Sequence, residues 1–406
     1  MKTRFDAKRL GRLDRWMQRY VDEGKFPGSS VLIAQGGEIV HRHACGLRDM
    51  TKGAPFAEDT IARIFSMTKP ITSVALMMLV ERGLIHLDAP LSAVLPEFSD
   101  CSALLPGAER IDQTEPCAPP TLHHVVTHTA GFTYPFNTSP VSAAYRDANL
   151  GFGPDGPGLE PMVKTLAALP LVFRPGARWE YSVGIDVIGR VVEVVSGKPL
   201  DRFFAEEIFA PLGMTDTFFS VPDDRLDRFA CLYTSLEGDP LALGTKSDRV
   251  ICREVDRPET SAYRNAVTFS GGGGLCGTID DYFRFGEMVR GGGTFGGERL
   301  LSDSTVAWMR RNHLPGDIAS MGPKSFAEMP MEGVGFGIGG ASFTDPGRSR
   351  IPGNVGDFGW GGIASTYWWT DPVADLTCIF FTQLSPSSSY PNRAELKALT
   401  HGALCR

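Results

Sequence analysis

IARIFSMTKPITSVALMMLV, residues 61–80, places a serine and a lysine three positions apart, Ser66 and Lys69, directly before an apolar run. The run predicts a buried helix over residues 67–83, ended by Gly83. Because residues three apart share one face of a helix, the two side chains are expected to point the same way. The stretch is therefore either an ordinary helix start with Ser66 as N-cap or a nucleophile beside its activating group.

A serine hydroxyl attacks a carbonyl carbon only when a base takes its proton. A lysine that is withdrawn from water loses its own proton more easily, because burial disfavours the charged form. The positive end of the helix dipole also favours a developing alkoxide on Ser66. Ser-x-x-Lys occurs once in this chain, and about one is expected by chance at ordinary residue frequencies. The motif therefore needs support from other segments.

Two distant segments give that support. In FRPGARWEYSVGIDVIGRVVEVVSG, residues 173–197, Tyr181 ends a loop before a helix. A phenol beside a lysine can shuttle protons because the cation favours phenolate, although a half-buried tyrosine with one hydrogen bond is the alternative. In GWGGIAST, residues 359–366, glycines let the backbone approach a ligand closely. An N–H group there could form an oxyanion hole with that of Ser66, and a hairpin turn is the alternative.

Strand signals lie near both ends of the chain and frame a mostly helical middle. Residues 28–46 consist of two β-rich runs around a glycine pair, which predicts a hairpin. Residues 375–383 are rich in β-branched and aromatic side chains, which predicts a buried strand. An amphipathic helix is predicted over residues 6–23, and two helical stretches are predicted over residues 184–209.

These signals together predict an α+β fold with an antiparallel β-sheet flanked by helices. Residues 1–95 and 268–406 are expected to form the domain that holds the sheet. Residues 96–267 are expected to form an inserted, mostly helical domain. The active site is expected in the cleft between the two domains, where ligand sites commonly lie.

The composition excludes several classes of protein. The 406 residues are 42% hydrophobic and 21% charged, a mixture that supports a globular core and argues against disorder. A net charge of −7 and a pI near 5.7 argue against a nucleic-acid partner. The N-terminus has no apolar core of a signal peptide, and Val74–Val80 is too short to span a membrane. We therefore expect a cytoplasmic protein without a membrane partner.

The eight cysteines are scattered, and no Cys-x-x-Cys pair occurs. This spacing favours free thiols over disulfides and argues against a zinc site. His123, His124 and His128 could share one helix face, but we favour polar residues beside a loop over a metal site. We expect neither a metal nor a cofactor.

Taken together, the three segments resemble the serine β-lactamase and penicillin-binding-protein superfamily. The resemblance is closest to its class C-like branch, the family VIII carboxylesterases. Ser66-Met67-Thr68-Lys69 matches the Ser-x-x-Lys motif of the superfamily. Tyr181-Ser182-Val183 stands where the family has Tyr-x-Asn. Trp360-Gly361-Gly362 stands where β-lactamases have Lys-Thr-Gly, and Trp-Gly-Gly is a form found in the esterases. Order and spacing hold from about residue 20 to about residue 385.

The resemblance implies the β-lactamase/transpeptidase-like form of the predicted fold, and it implies roles for the residues. Ser66 would be the nucleophile that becomes acylated. Lys69 and Tyr181 would share the proton transfers, and Tyr181 would also protonate the leaving alcohol. Which of the two is the general base stays open, because a coupled pair can titrate as one unit. The backbone N–H groups of Ser66 and Ile363 would form the oxyanion hole.

Two departures from the β-lactamase pattern bear on the substrate. Val183 replaces the asparagine that helps to hold the amide side chain of the drug. Trp360 replaces the lysine that attracts the drug's carboxylate. Both departures favour a neutral ester in an apolar pocket. The predicted substrate-binding residues are Trp360, Gly361, Gly362 and Val183, with Phe132, Tyr134, Phe136, Phe152, Trp179 and Tyr367 as candidate walls.

The expected function is that of a serine carboxylesterase that hydrolyses short-chain esters through an acyl-enzyme on Ser66, with a small-molecule ester as its partner. β-Lactamase or D-amino-acid peptidase activity is one alternative. Acyl transfer to an alcohol acceptor is another. A non-catalytic binding protein on the same fold is a third. No Gly-x-Ser-x-Gly elbow occurs in the chain, so the sequence argues against an α/β-hydrolase.

Overall fold

The computed structural model describes residues 5–246 and 252–405, and its main element is an antiparallel sheet of eight strands. The strands of the described residues are β1 (Gly28–Gln35), β2 (Glu38–Asp49), β3 (Ala54–Pro55), β4 (Ala62–Arg63), β5 (Cys101–Leu104), β6 (Thr114–Cys117), β7 (Leu232–Thr234), β8 (Arg253–Asp256), β9 (Cys276–Gly277), β10 (Thr294–Phe295), β11 (Glu298–Arg299), β12 (Ser325–Phe326), β13 (Met329–Pro330), β14 (Val334–Phe336), β15 (Ala341–Phe343), β16 (Phe358–Gly361), β17 (Tyr367–Asp371), β18 (Leu376–Thr382) and β19 (Leu384–Ser385). The large sheet has the spatial order β14-β15-β16-β17-β18-β1-β2-β3.

Helices cover the sheet and form most of the middle of the chain. The α-helices of the described residues are α1 (Ala7–Asp22), α2 (Thr68–Glu81), α3 (Leu122–Val126), α4 (Pro140–Asp147), α5 (Leu159–Ala167), α6 (Gly184–Ser196), α7 (Leu200–Phe204), α8 (Ala210–Leu212), α9 (Ile279–Arg290), α10 (Asp303–Met309), α11 (Ile318–Met321), α12 (Pro346–Ser349) and α13 (Asn392–Gly402). None of these helices is long and apolar enough to cross a membrane.

Strands β1 and β18, which pair with each other inside the sheet, separate two hydrophobic cores. Side chains alternate across a strand, so Val31 and Ile33 join the core formed with α1 and α13. Leu32 and Ala34 join the larger core formed with α2, α6 and α9. The sheet is therefore covered by helices on both faces, and α2 lies in the larger core.

Helix α2 is buried on all sides, since every residue from Thr68 to Leu79 is buried. A helix that is apolar all round belongs inside a core, which agrees with the apolar run in the sequence. Helix α2 ends at Glu81, and Gly83 follows with a φ of +68°, a conformation that glycine adopts readily. Ser66 does not belong to α2, because it lies in a preceding 3-10 turn, Phe65–Met67.

The fold class predicted from the sequence is confirmed. The predicted hairpin corresponds to β1 and β2, and the predicted late strand corresponds to β18. The eight cysteines are free thiols, as their scattered positions predict. The middle of the chain also contributes β7 and β8, and β7 pairs in parallel with β19 near the C-terminus. The domain boundaries stay a prediction.

Candidate active site

Ser66 lies in the 3-10 turn that connects β4 to α2. The preceding residue, Phe65, has a φ of +43°, and a left-handed conformation of this kind costs a non-glycine residue about 1–3 kcal/mol. The hydroxyl of Tyr282 donates to the carbonyl oxygen of Met67 at 2.9 Å, which helps to hold the turn. A strained residue directly before the serine fits a functional position, since such strain clusters at functional sites.

Lys69 is 1% exposed, and its ammonium group has three hydrogen-bond partners. It donates to Ser66 Oγ at 3.2 Å, to Tyr134 Oη at 2.9 Å and to the carbonyl oxygen of Gly272 at 2.6 Å. An ammonium group carries three donors, so each of them has a partner. The predicted pair Ser66 and Lys69 is thus in direct contact, and Lys69 is fixed beside the hydroxyl that it would activate.

Asp186, on α6, is the buried carboxylate of this region. It accepts hydrogen bonds from the hydroxyl of Ser270 and from the N–H of Gly272. Burial raises the pKa of Asp186, and the charge of Lys69 opposes that rise. Gly272 therefore connects the two charged groups, because its N–H binds Asp186 while its carbonyl oxygen binds Lys69.

Two tyrosines lie against Lys69 in different ways. Tyr134 accepts a hydrogen bond from the lysine through its hydroxyl, whereas the ring centre of Tyr181 lies 4.7 Å from Lys69 Nζ. The hydroxyl of Tyr181 accepts a hydrogen bond from the indole N–H of Trp360 at 3.2 Å. Burial raises the pKa of Tyr134 well above its ordinary range, and the neighbouring Tyr181 and Asp186 raise it further. Tyr134 is therefore a neutral phenol at physiological pH.

The end of β16 lies directly against the turn that holds Ser66. A Cβ atom added to Gly362 would lie 2.4 Å from the carbonyl oxygen of Ile64, so only glycine fits this approach. Within the described residues, no carbonyl oxygen accepts a hydrogen bond from the N–H of Ile363. Ile363 and Ser66 line the same cavity. An N–H group without a protein acceptor beside the serine has the chemistry of an oxyanion-hole donor.

This cavity has a volume of about 730 Å³, and Ser66, Tyr181 and Asp186 are among its lining residues. Its size is that of a typical small-molecule site. The predicted residues that line it are Tyr134, Phe136, Phe152, Gly361 and Gly362. Residues 239–243 lie in a loop and form part of the lining, although they were not predicted as site residues. No local pattern of these residues indicates that the fold brings them to the cavity.

The other predicted substrate-binding residues are not among those that line this cavity: Phe132, Trp179, Val183, Trp360 and Tyr367. Phe132 packs against Phe98 in the larger core, with ring centres 5.7 Å apart. Trp179 and Trp360 both pack against the ring of Tyr181. Trp360 therefore acts on the site through Tyr181 in this geometry, rather than as a wall.

Of the three histidines that stand close together in the sequence, His123 and His124 have ring centres 6.3 Å apart, whereas His128 has other partners. His128 Nδ1 and Ser182 Oγ are 3.1 Å apart, whereas His123 Nε2 contacts His313 Nδ1 at 3.2 Å. Burial lowers the pKa of His128, and the charge of Lys69 lowers it further, so its imidazole is neutral. His128 packs its ring against Tyr181 at 4.8 Å between centres. It therefore supports the tyrosine as a neutral side chain.

One group of the described residues has side chains close enough to hold a metal ion, namely Asp357, Asp371 and His401. The ammonium group of Lys397 already donates to Asp357 at 2.8 Å. The positive charge of Lys397 therefore takes the place that a metal ion would have beside Asp357. The expectation that the protein needs no metal stays a prediction.

Comparisons with known proteins show which family and which fold this chain resembles. The Beta-lactamase family model matches residues 13–402. Esterase EstB of Burkholderia gladioli is 33% identical over 93% of this chain and 91% of its own length. An uncharacterized protein of Mycobacterium tuberculosis is 37% identical over 91% of this chain and 88% of its own. Among solved structures, EstCE1, a hydrolase with promiscuous acyltransferase activity, has a TM-score of 0.79 at 29% identity, with 97% of each chain covered.

Proposed function

The chain belongs to the beta-lactamase family and is a serine hydrolase of its esterase-like part, and from this premise we propose that it hydrolyses carboxylic esters through an acyl-enzyme on Ser66. The observation that carries the proposal is the 3.2 Å hydrogen bond between Lys69 Nζ and Ser66 Oγ at the large cavity. This contact gives the serine a partner that can take its proton once the amine is neutral.

The proposed reaction has two halves. Ser66 Oγ attacks the carbonyl carbon of the ester, and its proton passes to the group formed by Lys69 and Tyr181. The N–H groups of Ser66 and Ile363 stabilise the negative oxygen of the tetrahedral intermediate. The C–O bond to the alcohol then breaks, and the alcohol leaves with a proton from the same group. Water attacks the acyl-enzyme in the second half and releases the acid.

The site's charges favour a neutral substrate. Trp360 holds the position of the lysine that attracts a β-lactam carboxylate, and its indole N–H is directed at Tyr181. Arg146 and Arg393 line the cavity, but each donates to carbonyl oxygens of the protein, and Arg393 also pairs with Glu328. We therefore propose short acyl groups carried on an uncharged alcohol as the substrates.

The direct experiment compares the hydrolysis of p-nitrophenyl acetate and butyrate by the wild-type protein and by Ser66→Ala. We expect the variant to lose the enzymatic rate by a factor of at least ~10³. Ser73→Ala is the matched control, because Ser73 lies on the adjacent helix α2, is buried and has a hydroxyl without a hydrogen-bond partner among the described residues. Equal rates for wild type and Ser66→Ala would refute the proposal.

Two further measurements separate the alternatives. Turnover of nitrocefin at a rate similar to that of the best ester would indicate that the protein is a β-lactamase. It would contradict the inference that Trp360 and Val183 favour a neutral ester. A serine-directed phosphonate should add its mass to the intact wild type and not to Ser66→Ala. Absence of labelling would favour the non-catalytic binding protein.

A second candidate function is acyl transfer to an alcohol. The structural similarity to EstCE1, a hydrolase with promiscuous acyltransferase activity, favours it, and the cavity of about 730 Å³ leaves room for an acceptor beside a short acyl group. Addition of a primary alcohol to the ester assay should then yield a new ester together with the free acid. Free acid alone across a range of alcohol concentrations would argue against this function.

A further inference from the structure

Arg393 belongs to α13 near the end of the chain, yet its guanidinium group reaches the site. It is 6% exposed, and its Nη2 donates to the carbonyl oxygen of Gly362 at 2.6 Å and to that of Thr366 at 3.2 Å. The N–H of Gly362 donates to the same Thr366 oxygen at 2.9 Å. Backbone bonds close the turn of residues 362–366, in which Ser365 has a φ of +64° and donates its N–H to the carbonyl oxygen of Gly362 at 3.2 Å. Arg393 adds side-chain bonds to two carbonyl oxygens of this turn.

The neighbouring glycine makes room for this guanidinium group. A Cβ atom on Gly361 would lie 2.6 Å from the Cζ atom of Arg393, a distance shorter than any van der Waals contact. The ring of Tyr367, which neighbours Gly361 across the strand pair, lies below the guanidinium group at 5.4 Å. The two residues therefore form a slot that holds Arg393 in one position.

The charge of Arg393 is balanced inside the protein. Its Nε lies 3.3 Å from an Oε1 of Glu328, whose side chain is 3% exposed. Burial raises the pKa of Glu328 to about 6, and the charge of Arg393 opposes that rise. Because its charge is balanced by Glu328 and its Nη2 group donates to carbonyl oxygens of the protein, Arg393 is not arranged as a receptor for an anionic substrate.

The carbonyl group of Gly362 and the N–H of Ile363 belong to one planar peptide unit. A cation bound to the oxygen fixes the direction of the N–H at the other end. It also draws electron density from the amide, which makes the N–H a stronger donor. We propose that Arg393 is a positioning residue of the oxyanion hole, which orients and polarises the N–H of Ile363 by holding the carbonyl oxygen of Gly362. This inference rests on the proposed function, which assigns Ile363 as an oxyanion donor.

The test uses ester kinetics with Arg393→Met and Arg393→Lys, in the full-length protein. An oxyanion donor acts in the transition state and not in the ground state, so kcat should fall and KM should change little. Loss of a whole donor costs about 10²–10³ in kcat, and we expect about 10–100 for Arg393→Met because the N–H remains but is less well oriented. Arg393→Lys keeps the positive charge but not the branched guanidinium group, so its kcat should fall less than that of Arg393→Met.

Glu328→Gln is the matched control. It removes the balancing charge and leaves the bonds from Arg393 to Gly362 and Thr366, so its kcat should stay within about threefold of wild type. The double variant Arg393→Met/Glu328→Gln leaves no unpaired buried carboxylate, and its kcat should match that of Arg393→Met. Recovery of kcat in the double variant would assign the loss to the unpaired Glu328 and overturn the proposal.

A second readout does not depend on turnover. A boronic acid forms a tetrahedral adduct with the serine, and its oxygen occupies the oxyanion hole. Its affinity should fall in Arg393→Met by about the same factor as kcat/KM, while the KM of the ester is unchanged. Unchanged affinity and unchanged kcat in a folded Arg393→Met would refute the role of Arg393. An inactive wild type without labelling at Ser66 would instead refute the proposed function.

Discussion

At the scale of single residues, Lys69 contacts two tyrosines in different ways. It donates a hydrogen bond to the hydroxyl of Tyr134, and its ammonium group lies over the ring of Tyr181. The family resemblance implies that Lys69 and Tyr181 share the proton transfers and that Tyr181 also protonates the leaving alcohol. We expect Tyr181→Phe to lower kcat/KM by about 10²–10⁴, the usual contribution of a general acid–base group. Tyr134→Phe should cost only about tenfold, because Lys69 keeps Ser66 and Gly272 as partners. Ester kinetics of both variants test this, and the reverse order would assign the shuttle to Tyr134.

The two tryptophans around Tyr181 give a matched pair of variants. The indole N–H of Trp360 donates to the tyrosine oxygen, whereas that of Trp179 has no partner within the described residues. Trp360→Phe should therefore lower kcat about two- to tenfold, since one hydrogen bond is worth about 0.5–1.5 kcal/mol. Trp179→Phe should leave kcat within about twofold of wild type. An equal fall of kcat in the two variants would show that the tryptophans support Tyr181 by ring packing alone and not by the hydrogen bond.

Residue identities in the sequence predicted the contact of Ser66 with Lys69 and the closeness of Tyr181, because these residues stand in local motifs. The hydrogen bond from Lys69 to the hydroxyl of Tyr134 was not predicted. The sequence does not distinguish an aromatic loop residue that lines the pocket from one that binds the lysine. Arg393 was not predicted at all. Its partners, Gly362 and Glu328, are distant along the chain, and only the folded sheet and α13 bring them together.

At the scale of elements, the approach of β16 to the turn of Ser66 depends on Gly362. An added Cβ would meet the backbone oxygen of Ile64, which cannot move without shifting the turn. We expect Gly362→Ala to lower the free energy of unfolding by about 1–3 kcal/mol, as overpacking does, and to abolish ester hydrolysis. Gly402→Ala, at the end of α13 where no described residue would contact the added Cβ, is the control and should be neutral. Chemical denaturation and the ester assay check both variants.

The packing of α13 should make stability depend on pH through His401. Burial and the charge of Lys397 lower the pKa of His401 to about 4. The unfolded chain, with a histidine pKa of about 6.5, binds this proton at higher pH, so stability is lost as pH falls between these values. When the pH is lowered from 7 to 5, the free energy of unfolding should therefore fall by about 1–2 kcal/mol less in His401→Gln than in wild type. Urea titrations at both pH values test this, and His86→Gln, at an exposed position, is the control. The same change in the free energy of unfolding with pH in wild type and in His401→Gln would contradict the prediction.

Elements with a strong pattern could be predicted from the sequence. The β-rich runs of β1 and β2 around a glycine turn and the apolar run of α2 are examples. The 3-10 turn at Ser66 could not be predicted, because helical propensity does not indicate a φ of +43° at Phe65. That conformation is held by tertiary contacts, among them the bond from Tyr282. The lining by residues 239–243 likewise depends on contacts distant in sequence.

At the scale of the whole molecule, the cavity of about 730 Å³ is much larger than a short acyl group. An apolar alcohol can fill the rest, and apolar burial contributes about 25 cal/mol per Å². In a series of acetate esters with similar leaving-group pKa, kcat/KM should rise about tenfold for each ~60 Å² of added apolar surface until the cavity is full. A decline from the smallest alcohol onward would contradict this and would point to a cavity partly closed in solution.

The place of β1 in the sheet, between β2 and β18, has a consequence for synthesis on the ribosome. The first strand emerges early, but the strand that pairs with its other edge is among the last segments to be translated. A nascent chain therefore carries an unpaired, apolar strand edge for most of its elongation, and such edges recruit other strands. Demand for chaperones that shield nascent chains should be high, and a slow ribosome should lower the yield of active protein.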